Sequence, residues 1–183
     1  MLNAPLDDEK KITLSKVQKN RYLKELQFCY PISKLSGKDF IKLLRRHDLP
    51  ASFASRMEDL PSGVLSGFMK GFIDLVFENG GRYYLVDYKS NRLGPDKEYY
   101  KKEHLLNEVS SEAYFLQYII YTVALHRYLE LRIPDYNYEK HFGNIFYLFM
   151  RGMDPLLGHD YGVYKDRPKK ELIEELNLYF SDC

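Results

Sequence analysis

Two short stretches of this chain carry the residue types that hydrolyse phosphodiesters with the help of a metal ion. One is Gly71-Phe72-Ile73-Asp74 and the other is Val86-Asp87-Tyr88-Lys89. Together they supply two carboxylates, which can hold a divalent cation, and one ammonium, which can stabilise negative charge on a phosphate. This chemistry requires that the three charged side chains meet in one place.

The surrounding residues predict that neighbouring strands position these charges. The run Asn-Gly-Gly at 79–81 tolerates the positive φ of a tight turn, and the residues on both sides of it are rich in β-branched and aromatic types. Side chains alternate faces along a strand, so Asp87 and Lys89 share one face. Asp74 lies about as far before the turn as Asp87 lies after it. The spacing therefore predicts a β-hairpin that sets both carboxylates within reach of one ion.

A solvated ion pair is the competing interpretation of an acid and a lysine on one strand. Here both aspartates are embedded in apolar runs, Phe-Ile-Asp-Leu-Val-Phe at 72–77 and Tyr-Leu-Val-Asp-Tyr at 84–88. Such runs are typical of strands that are covered on both faces, where an unpaired carboxylate carries a large desolvation cost. A divalent cation together with Lys89 would supply the counter-charge.

The same strings resemble a known nuclease family. Gly-Phe-Ile-Asp at 71–74, Asp-Tyr-Lys-Ser-Asn at 87–91 and Gln-Tyr-Ile-Ile-Tyr at 117–121 are similar, in this order, to motifs of the PD-(D/E)xK nuclease superfamily. More narrowly, the chain resembles the C-terminal nuclease domain of RecB, the beta subunit of the bacterial exonuclease V (RecBCD) complex. Further strings with this resemblance lie at 69–77, 124–129 and 147–152.

The resemblance implies a role for each residue of the two opening motifs. Asp74 and Asp87 would be ligands of Mg²⁺, for which Mn²⁺ can substitute, and the backbone carbonyl of Tyr88 would be a further ligand. Lys89 would orient the attacking water or stabilise the transition state. Asp74, Asp87 and Lys89 would thus be the catalytic residues.

Three further residues are candidates for the same site. Gln117 and Tyr121 are four apart on a predicted helix and share one face, and the resemblance implies that this pair positions DNA. An ordinary helix face covering the sheet is the alternative for both. Glu25 lies in a segment that resembles the family's glutamate-containing strand, although an exposed strand glutamate explains it equally well.

One part of the family pattern is missing before Asp74. RecB-type nucleases have an upstream helix with a Gly-x-x-x-His element, whose histidine completes the metal site, and no such element precedes Asp74. His47 lies at a predicted helix end, and the other histidines follow the Asp-x-Lys motif. We therefore expect an N-terminally truncated fragment of a longer subunit, with weak or no nuclease activity of its own.

The resemblance also predicts the function of the parent protein. It would be a magnesium-dependent DNA exonuclease that acts beside an ATP-driven helicase motor in double-strand break repair and homologous recombination. Its partners would be DNA, the RecC and RecD subunits and the recombinase RecA. Two alternatives stay open, namely a non-catalytic docking module for RecA or the partner subunits, and another endonuclease of the same superfamily.

The composition is that of one globular domain. The chain has 183 residues, of which 45% are hydrophobic and 29% charged, and this predicts a single domain over 1–183 with about 1–11 flexible. The net charge of +1 does not indicate DNA binding, so any phosphate-binding surface would be local. Candidates are the basic clusters at 97–102 and 167–170, although either could be a solvated helix face. The chain lacks an apolar run of the roughly 20 residues that span a bilayer, and a signal-peptide core, so we expect no membrane association and a cytoplasmic location.

The pattern along the chain predicts the elements around the hairpin. Residues 22–32 alternate as in a strand, and Pro31 places that strand at a sheet edge. Ser36 can cap a short amphipathic helix, and residues 50–66 read as a loop. Further elements are a long helix over about 112–131, a buried strand over 143–150 and a closing helix over 169–179. This order predicts an α/β (α+β) fold, in which a mixed central sheet is flanked by helices, as in the restriction-endonuclease-like core of the superfamily.

Overall fold

A computed structural model of the protein describes residues 1–7, 12–57 and 63–181. Two compact units divide the chain, and each is assembled from three separate segments. Unit 1 comprises Met1–Leu26, Ile73–Glu108 and Lys140–Arg167, and unit 2 comprises Gln27–Phe72, Val109–Glu139 and Pro168–Cys183. The division into two compact units does not test the expectation of a single domain over 1–183, which stays a prediction.

Strands and helices alternate irregularly along the chain. They are β1 (Pro5–Asp7), β2 (Ile12–Thr13), β3 (Tyr22–Ser36), α1 (Gly37–Arg45), α2 (Ala51–Met57), β4 (Val64–Asn79), β5 (Arg82–Lys89), α3 (Lys102–Ser111), α4 (Tyr114–Glu130), α5 (Tyr138–His141), β6 (Phe142–Phe149), β7 (Val163–Asp166) and α6 (Lys170–Ser181). Within the described residues, no helix is long and apolar enough to cross a membrane.

The strands from β3 to β7 form one mixed sheet, and their order in the sheet follows the chain. β4 and β5 are antiparallel, β5 and β6 are parallel, and β6 and β7 are antiparallel. β3 lies at an edge, as Pro31 predicts. A parallel pair needs a long crossover connection, and the segment between β5 and β6 supplies it with α3, α4 and α5. The predicted α/β fold with a mixed sheet is therefore confirmed.

The hairpin of β4 and β5 has the predicted form. Its strands pair from Asn79 opposite Arg82 to Leu75 opposite Val86. The two residues of the turn are glycines in the left-handed region, with φ values of 61° and 78°. Such values suit a two-residue turn whose twist matches the flanking strands. The turn therefore determines which residues of β4 and β5 lie opposite each other.

The core of unit 1 covers one face of the β4, β5 and β6 segments that belong to it. Its centre is an aromatic stack, in which the Tyr84 ring lies 4.9 Å from the Phe77 ring and 5.9 Å from the Phe146 ring, centroid to centroid. Gly143 makes room for this stack, because a Cβ there would overlap the Tyr84 ring. Other buried members are Ala4, Leu6, Ile12, Leu14, Leu75, Val86, Leu148, Met153 and Val163.

Unit 2 has its own aromatic core and polar ties between helices. The rings of Phe53 on α2 and Phe115 on α4 stack with centroids 4.3 Å apart. Arg127 on α4 donates to the side chain of Asn177 on α6 at 2.5 Å and to the Ser181 hydroxyl at 2.7 Å. These contacts join elements that are far apart in the sequence, so they stabilise the unit only once the chain is folded.

The segment 50–66 differs from the predicted loop. It contains α2 and the first residues of β4, while 58–62 lie outside the described residues. The physical reason for α2 is Phe53, whose ring is fully buried against Phe115. A short helix with average propensities is stabilised by such packing rather than by its local sequence.

The described N-terminal residues pack onto unit 1, while the flexibility expected over about 1–11 stays a prediction. Pro5–Asp7 form β1, which pairs antiparallel with β2. Ala4 and Leu6 are fully buried in the core of unit 1, and Lys165 Nζ lies 3.1 Å from the buried Asp7 carboxylate. Residues 8–11 lie outside the described residues. Burial of Leu6 and the ion pair of Asp7 therefore attach β1 to the rest of unit 1.

Candidate active site

Asp87 and Lys89 form a buried ion pair on β5. Only 4% of Asp87 and 9% of Lys89 are exposed, and Lys89 Nζ lies 2.7 Å from Asp87 Oδ2. The same Nζ lies 4.6 Å from the centroid of the Tyr147 ring on the neighbouring strand β6. Both contacts hold the ammonium at a defined position. The two residues share one face of the strand, as their spacing predicts.

Four influences act on the Asp87 carboxyl, and their net effect is a raised pKa. Burial is the largest, because it penalises the charged form. The hydrogen bond and the positive charge of Lys89 lower the pKa, while the negative charge of Asp74 raises it. The effect of Asp74 on Asp87 agrees with the hairpin register, which pairs the neighbouring residues Leu75 and Val86. A further positive charge would be stabilised at this point.

Asp74 makes a specific contact with the β5 backbone. Its Oδ2 accepts a hydrogen bond of 2.9 Å from the Tyr88 N–H. The pair of the hairpin farthest from the turn joins Leu75, the residue after Asp74, to Val86, so the Asp74 carboxylate accepts from a backbone N–H beyond that pair. Burial and the negative charge of Asp74 raise the pKa of the Tyr88 hydroxyl. Asp74 is therefore fixed in place by β5 itself.

A cleft of about 410 Å³ opens beside Asp74, and five residues line it: Lys24, Glu25, Asp74, Leu75 and Tyr88. Glu25 interrupts β3 with a φ of 51°, in the left-handed region that residues other than glycine adopt only rarely. Such backbone conformations cost free energy and concentrate at functional positions. The structure thus brings the weakest of the sequence candidates, Glu25, to the same cleft as Asp74.

The carboxylate oxygens of Asp74 and Asp87 are the type of ligand that a hard divalent cation prefers. Among residues 1–7, 12–57 and 63–181, no three histidine, cysteine, aspartate or glutamate side chains form a group that could hold a metal ion. Mg²⁺ is often held by only one or two carboxylates and keeps several waters. Asp74 and Asp87 fit that description, and the Tyr88 carbonyl stays a prediction as a further ligand.

Gln117 and Tyr121 lie on α4, in unit 2. Gln117 Nε2 donates a hydrogen bond of 3.0 Å to the Tyr121 hydroxyl, so the two side chains lie on one helix face. The Tyr121 ring meets the edge of the Phe28 ring on β3, with centroids 5.6 Å apart. Gly71 makes room for Phe28, because a Cβ there would lie 2.6 Å from its ring. The role of the pair in positioning DNA stays a prediction.

The basic clusters predicted as alternative phosphate sites are largely paired with acids. This pairing reduces the positive charge that each cluster presents to a phosphate. The pairs are Lys97 with Asp154 at 2.5 Å, Lys101 with Glu98, Lys169 with Asp48 at 2.8 Å and Lys170 with Glu174 at 3.4 Å.

Two histidines have structural surroundings in unit 2. His47 Nε2 lies 2.8 Å from a carboxylate oxygen of Glu175 on α6. His126 on α4 is 3% exposed, and its Nδ1 lies 3.3 Å from the Tyr136 hydroxyl. Burial lowers the pKa of His126, against the charge of Glu130 that raises it. These contacts make both histidines part of the framework of unit 2.

Two residues near the site had no signal in the sequence that singled them out. Tyr147 lies under Lys89 because β6 pairs with β5 in parallel, with Tyr147 opposite Asp87. Lys24 lines the cleft beside Glu25, the residue of β3 with a left-handed backbone conformation. The position of Lys24 next to the candidate Glu25 was a usable signal in the sequence. The position of Tyr147 opposite Asp87 is visible only in the fold, because the two residues are sixty apart in the chain.

Curated relatives share sequence with nearly all of this chain. The protein named RecBCD enzyme subunit RecB from Escherichia coli (strain K12) is 41% identical over 182 residues, which cover 99% of this chain and 15% of that protein. The protein of that name from Haemophilus influenzae is 41% identical over 178 residues, covering 97% of this chain and 14% of its own length. The chain belongs to the RecB family.

More distant RecB proteins agree with this assignment. RecB from Mycobacterium tuberculosis (strain ATCC 25618 / H37Rv) is 35% identical over 187 aligned residues, covering 91% of this chain and 17% of that protein. No protein-family model matches the chain. The chain spans about 15% of the length of the RecB proteins it matches. The resemblance found in the motifs is therefore confirmed at the level of the family.

Proposed function

We propose that this chain is the nuclease domain of a RecB-type protein, a magnesium-dependent exonuclease that degrades DNA. The observation that carries this proposal is the buried contact of Lys89 Nζ with Asp87 Oδ2, together with the electrostatic influence of Asp74 on the same carboxyl. Two carboxylates and an ammonium in one partly closed place are the groups that phosphodiester hydrolysis needs.

The residues present fit a divalent cation. Asp74 and Asp87 would hold Mg²⁺, or Mn²⁺ in its place, with the Tyr88 backbone carbonyl as a further ligand. Bound there, the ion would lower the pKa of a water molecule and neutralise charge on the phosphate. The raised pKa of Asp87 supports this fit, because a buried carboxylate that is short of positive charge gains most from a cation.

Lys89 would act as a fixed positive charge near the scissile phosphate. Its ammonium is held by Asp87 and lies over the Tyr147 ring, so little side-chain freedom is lost when a substrate arrives. Nζ would donate hydrogen bonds to a phosphate oxygen or to the attacking water. A preoriented donor in a site of low polarity stabilises developing negative charge more strongly than one in water.

The remaining candidates would position the substrate. Glu25 would orient water or a ligand of the cation in the cleft that it shares with Asp74. Gln117 and Tyr121 would contact the DNA strand, with the Gln117 amide fixing the direction of the Tyr121 hydroxyl.

The function of the parent protein belongs to the same proposal. It would combine this nuclease with an ATP-driven helicase, act in double-strand break repair and homologous recombination in the cytoplasm, and work with RecC, RecD and RecA. The names of the relatives support the first two partners, because those proteins are named as subunits of a RecBCD enzyme.

Calorimetric titration with Mg²⁺ and Mn²⁺ tests the metal site directly. We expect the wild type to bind both ions. Asp74→Ala and Asp87→Ala should each bind at least about tenfold more weakly, because a change to a residue that only supports a metal ligand already lowers metal affinity by about that factor. Asp160→Asn, at an exposed aspartate, is the matched control and should bind as the wild type does. A wild type that binds no more tightly than the two alanine variants would sink the proposal.

An assay of single-stranded DNA degradation in Mg²⁺ tests the activity of the chain itself. We expect weak or no cleavage, because the family's upstream histidine element does not precede Asp74. Robust cleavage that is abolished by Asp87→Ala would contradict that expectation while supporting the assignment as a nuclease.

A further inference from the structure

Exposed aromatic residues follow the outer face of β4 within unit 2. Phe68 is 68% exposed and Phe72 is 56% exposed, and the exposed Lys70 lies between them. The sequence repeats here, with Gly67-Phe68 followed by Gly71-Phe72. We name Phe68, Lys70 and Phe72 the ribbon row. Exposed aromatic rings present flat faces on which the bases of a nucleic acid can stack.

The contacts of the alternate residues show why the ribbon row points outward. Met69 Sδ accepts a hydrogen bond of 3.0 Å from the Tyr30 hydroxyl, and Gly71 lies directly beneath the Phe28 ring. Met69 and Gly71 therefore face the interior of unit 2. Residues two apart on a strand share a face and neighbours lie on opposite faces, so the ribbon row is on the solvent side.

The charge around the ribbon row favours an anionic partner. Neither the stretch 27–36 of β3 nor the stretch 63–73 around β4 contains an aspartate or glutamate. The one cation, Lys70, lies between the two aromatic rings, so the ribbon row is not a continuous apolar patch. Side chains two apart on a strand are about 6.6 Å from each other, so Lys70 lies about midway between two rings that are about 13 Å apart.

We propose that the ribbon row binds single-stranded DNA, with bases stacked on Phe68 and Phe72 and a phosphate held by Lys70 Nζ. Aromatic side chains that alternate with cations are the means by which proteins bind single strands without reading their sequence. The proposal deepens the proposed nuclease function, on which it rests for the class of ligand. β4 continues from Phe72 to the predicted metal ligand Asp74 two residues later.

Fluorescence anisotropy of a labelled thymidine oligonucleotide, titrated with the full chain in EDTA, tests the surface without cleavage. Phe68→Ala and Phe72→Ala should each weaken binding by about 5- to 150-fold, the range for losing one stacked base. Phe72→Trp should bind within about twofold of the wild type, because it keeps the ring face. Leu131→Ala is the matched control, since it removes an exposed apolar side chain of the same unit, 82% exposed.

The salt dependence and the leucine variant separate DNA from a protein partner. Lys70→Gln should reduce the slope of log affinity against log salt by about 0.7, the value for one phosphate contact with a single strand. Phe72→Leu keeps apolar area but loses the π face, so it should bind nearly as weakly as the alanine variant. A leucine variant that binds like the wild type would indicate an apolar docking surface and overturn the proposal.

Two other results would also overturn it: no anisotropy change with the wild type at millimolar protein, or a Phe68→Ala/Phe72→Ala double variant that binds like the wild type. Failure of the nuclease assignment has a different signature. In that case metal binding is insensitive to Asp74→Ala and Asp87→Ala, while the EDTA titration, which involves no metal, still responds to the ribbon row.

Discussion

Replacing Lys89 with methionine should destabilise the protein strongly at neutral pH and weakly at acidic pH. Methionine keeps an unbranched apolar stem but removes the charge that lies 2.7 Å from Asp87 Oδ2. Asp87 would then remain 4% exposed without the ammonium that lowers its pKa. Removing one partner of a buried ion pair costs about 3–5 kcal/mol when the other partner stays charged.

The pH dependence follows from the proton that Asp87 can take up. In the variant, the folded-state pKa of Asp87 rises further above the unfolded value of about 3.9. As the pH rises from there, the unfolded chain releases the proton first, so the folded state loses up to about 1.36 kcal/mol per pH unit. The loss of stability stops at the pH at which Asp87 also ionises in the folded state. At a pH below both values, the cost of the substitution is smallest.

Urea unfolding followed by circular dichroism at about pH 5 and about pH 8 measures this difference. The wild type, Lys89→Met, Asp87→Asn and the double variant form a cycle that isolates the interaction of the pair. Asp87→Asn serves as the control in which position 87 carries no titrating carboxyl. The reasoning is refuted by equal losses at both pH values, or by a coupling energy under about 0.5 kcal/mol at the higher pH.

Three further predictions concern the framework. Asp74→Ala should cost about 1–3 kcal/mol, because the Tyr88 N–H loses its acceptor, and urea unfolding measures this. Gly143→Ala should cost about 1–3 kcal/mol or more by the same measurement, because its Cβ would overlap the Tyr84 ring. His126 has a lowered pKa, so the unfolded chain binds its proton first and the wild type should lose stability below about pH 6.5. A His126→Gln variant should show a flatter stability profile between about pH 7.5 and about pH 5.5.

Each of these predictions has a matched control. Asp74→Asn keeps an acceptor oxygen and should be less destabilising than alanine, and an equal loss would contradict the backbone contact. Gly63→Ala has open space around its Cβ and should change stability by no more than about 0.5 kcal/mol. An unchanged pH profile in His126→Gln would mean that a group other than His126 causes the acid loss.

Local signals in the sequence predicted the elements that depend on near neighbours. The glycines at 80 and 81 supply the positive φ of the hairpin, and Ser36 accepts from the Asp39 N–H at 3.3 Å as the start of α1 requires. The helix α2 and the strand β1 were not predicted. Both are held by the burial of single side chains, Phe53 and Leu6, against residues that are distant in the sequence.

The sequence by itself determined that Asp87 and Lys89 share a face and that Asp74 lies near them. Strand alternation and a two-residue turn are short-range geometry and leave little freedom. Only the tertiary structure decided what surrounds these charges: the Tyr147 ring beneath Lys89, the cleft shared with Glu25, and the burial that raises the pKa of Asp87. Those features depend on strands paired across long crossovers, and the free energy of that pairing comes from packing that no local pattern encodes.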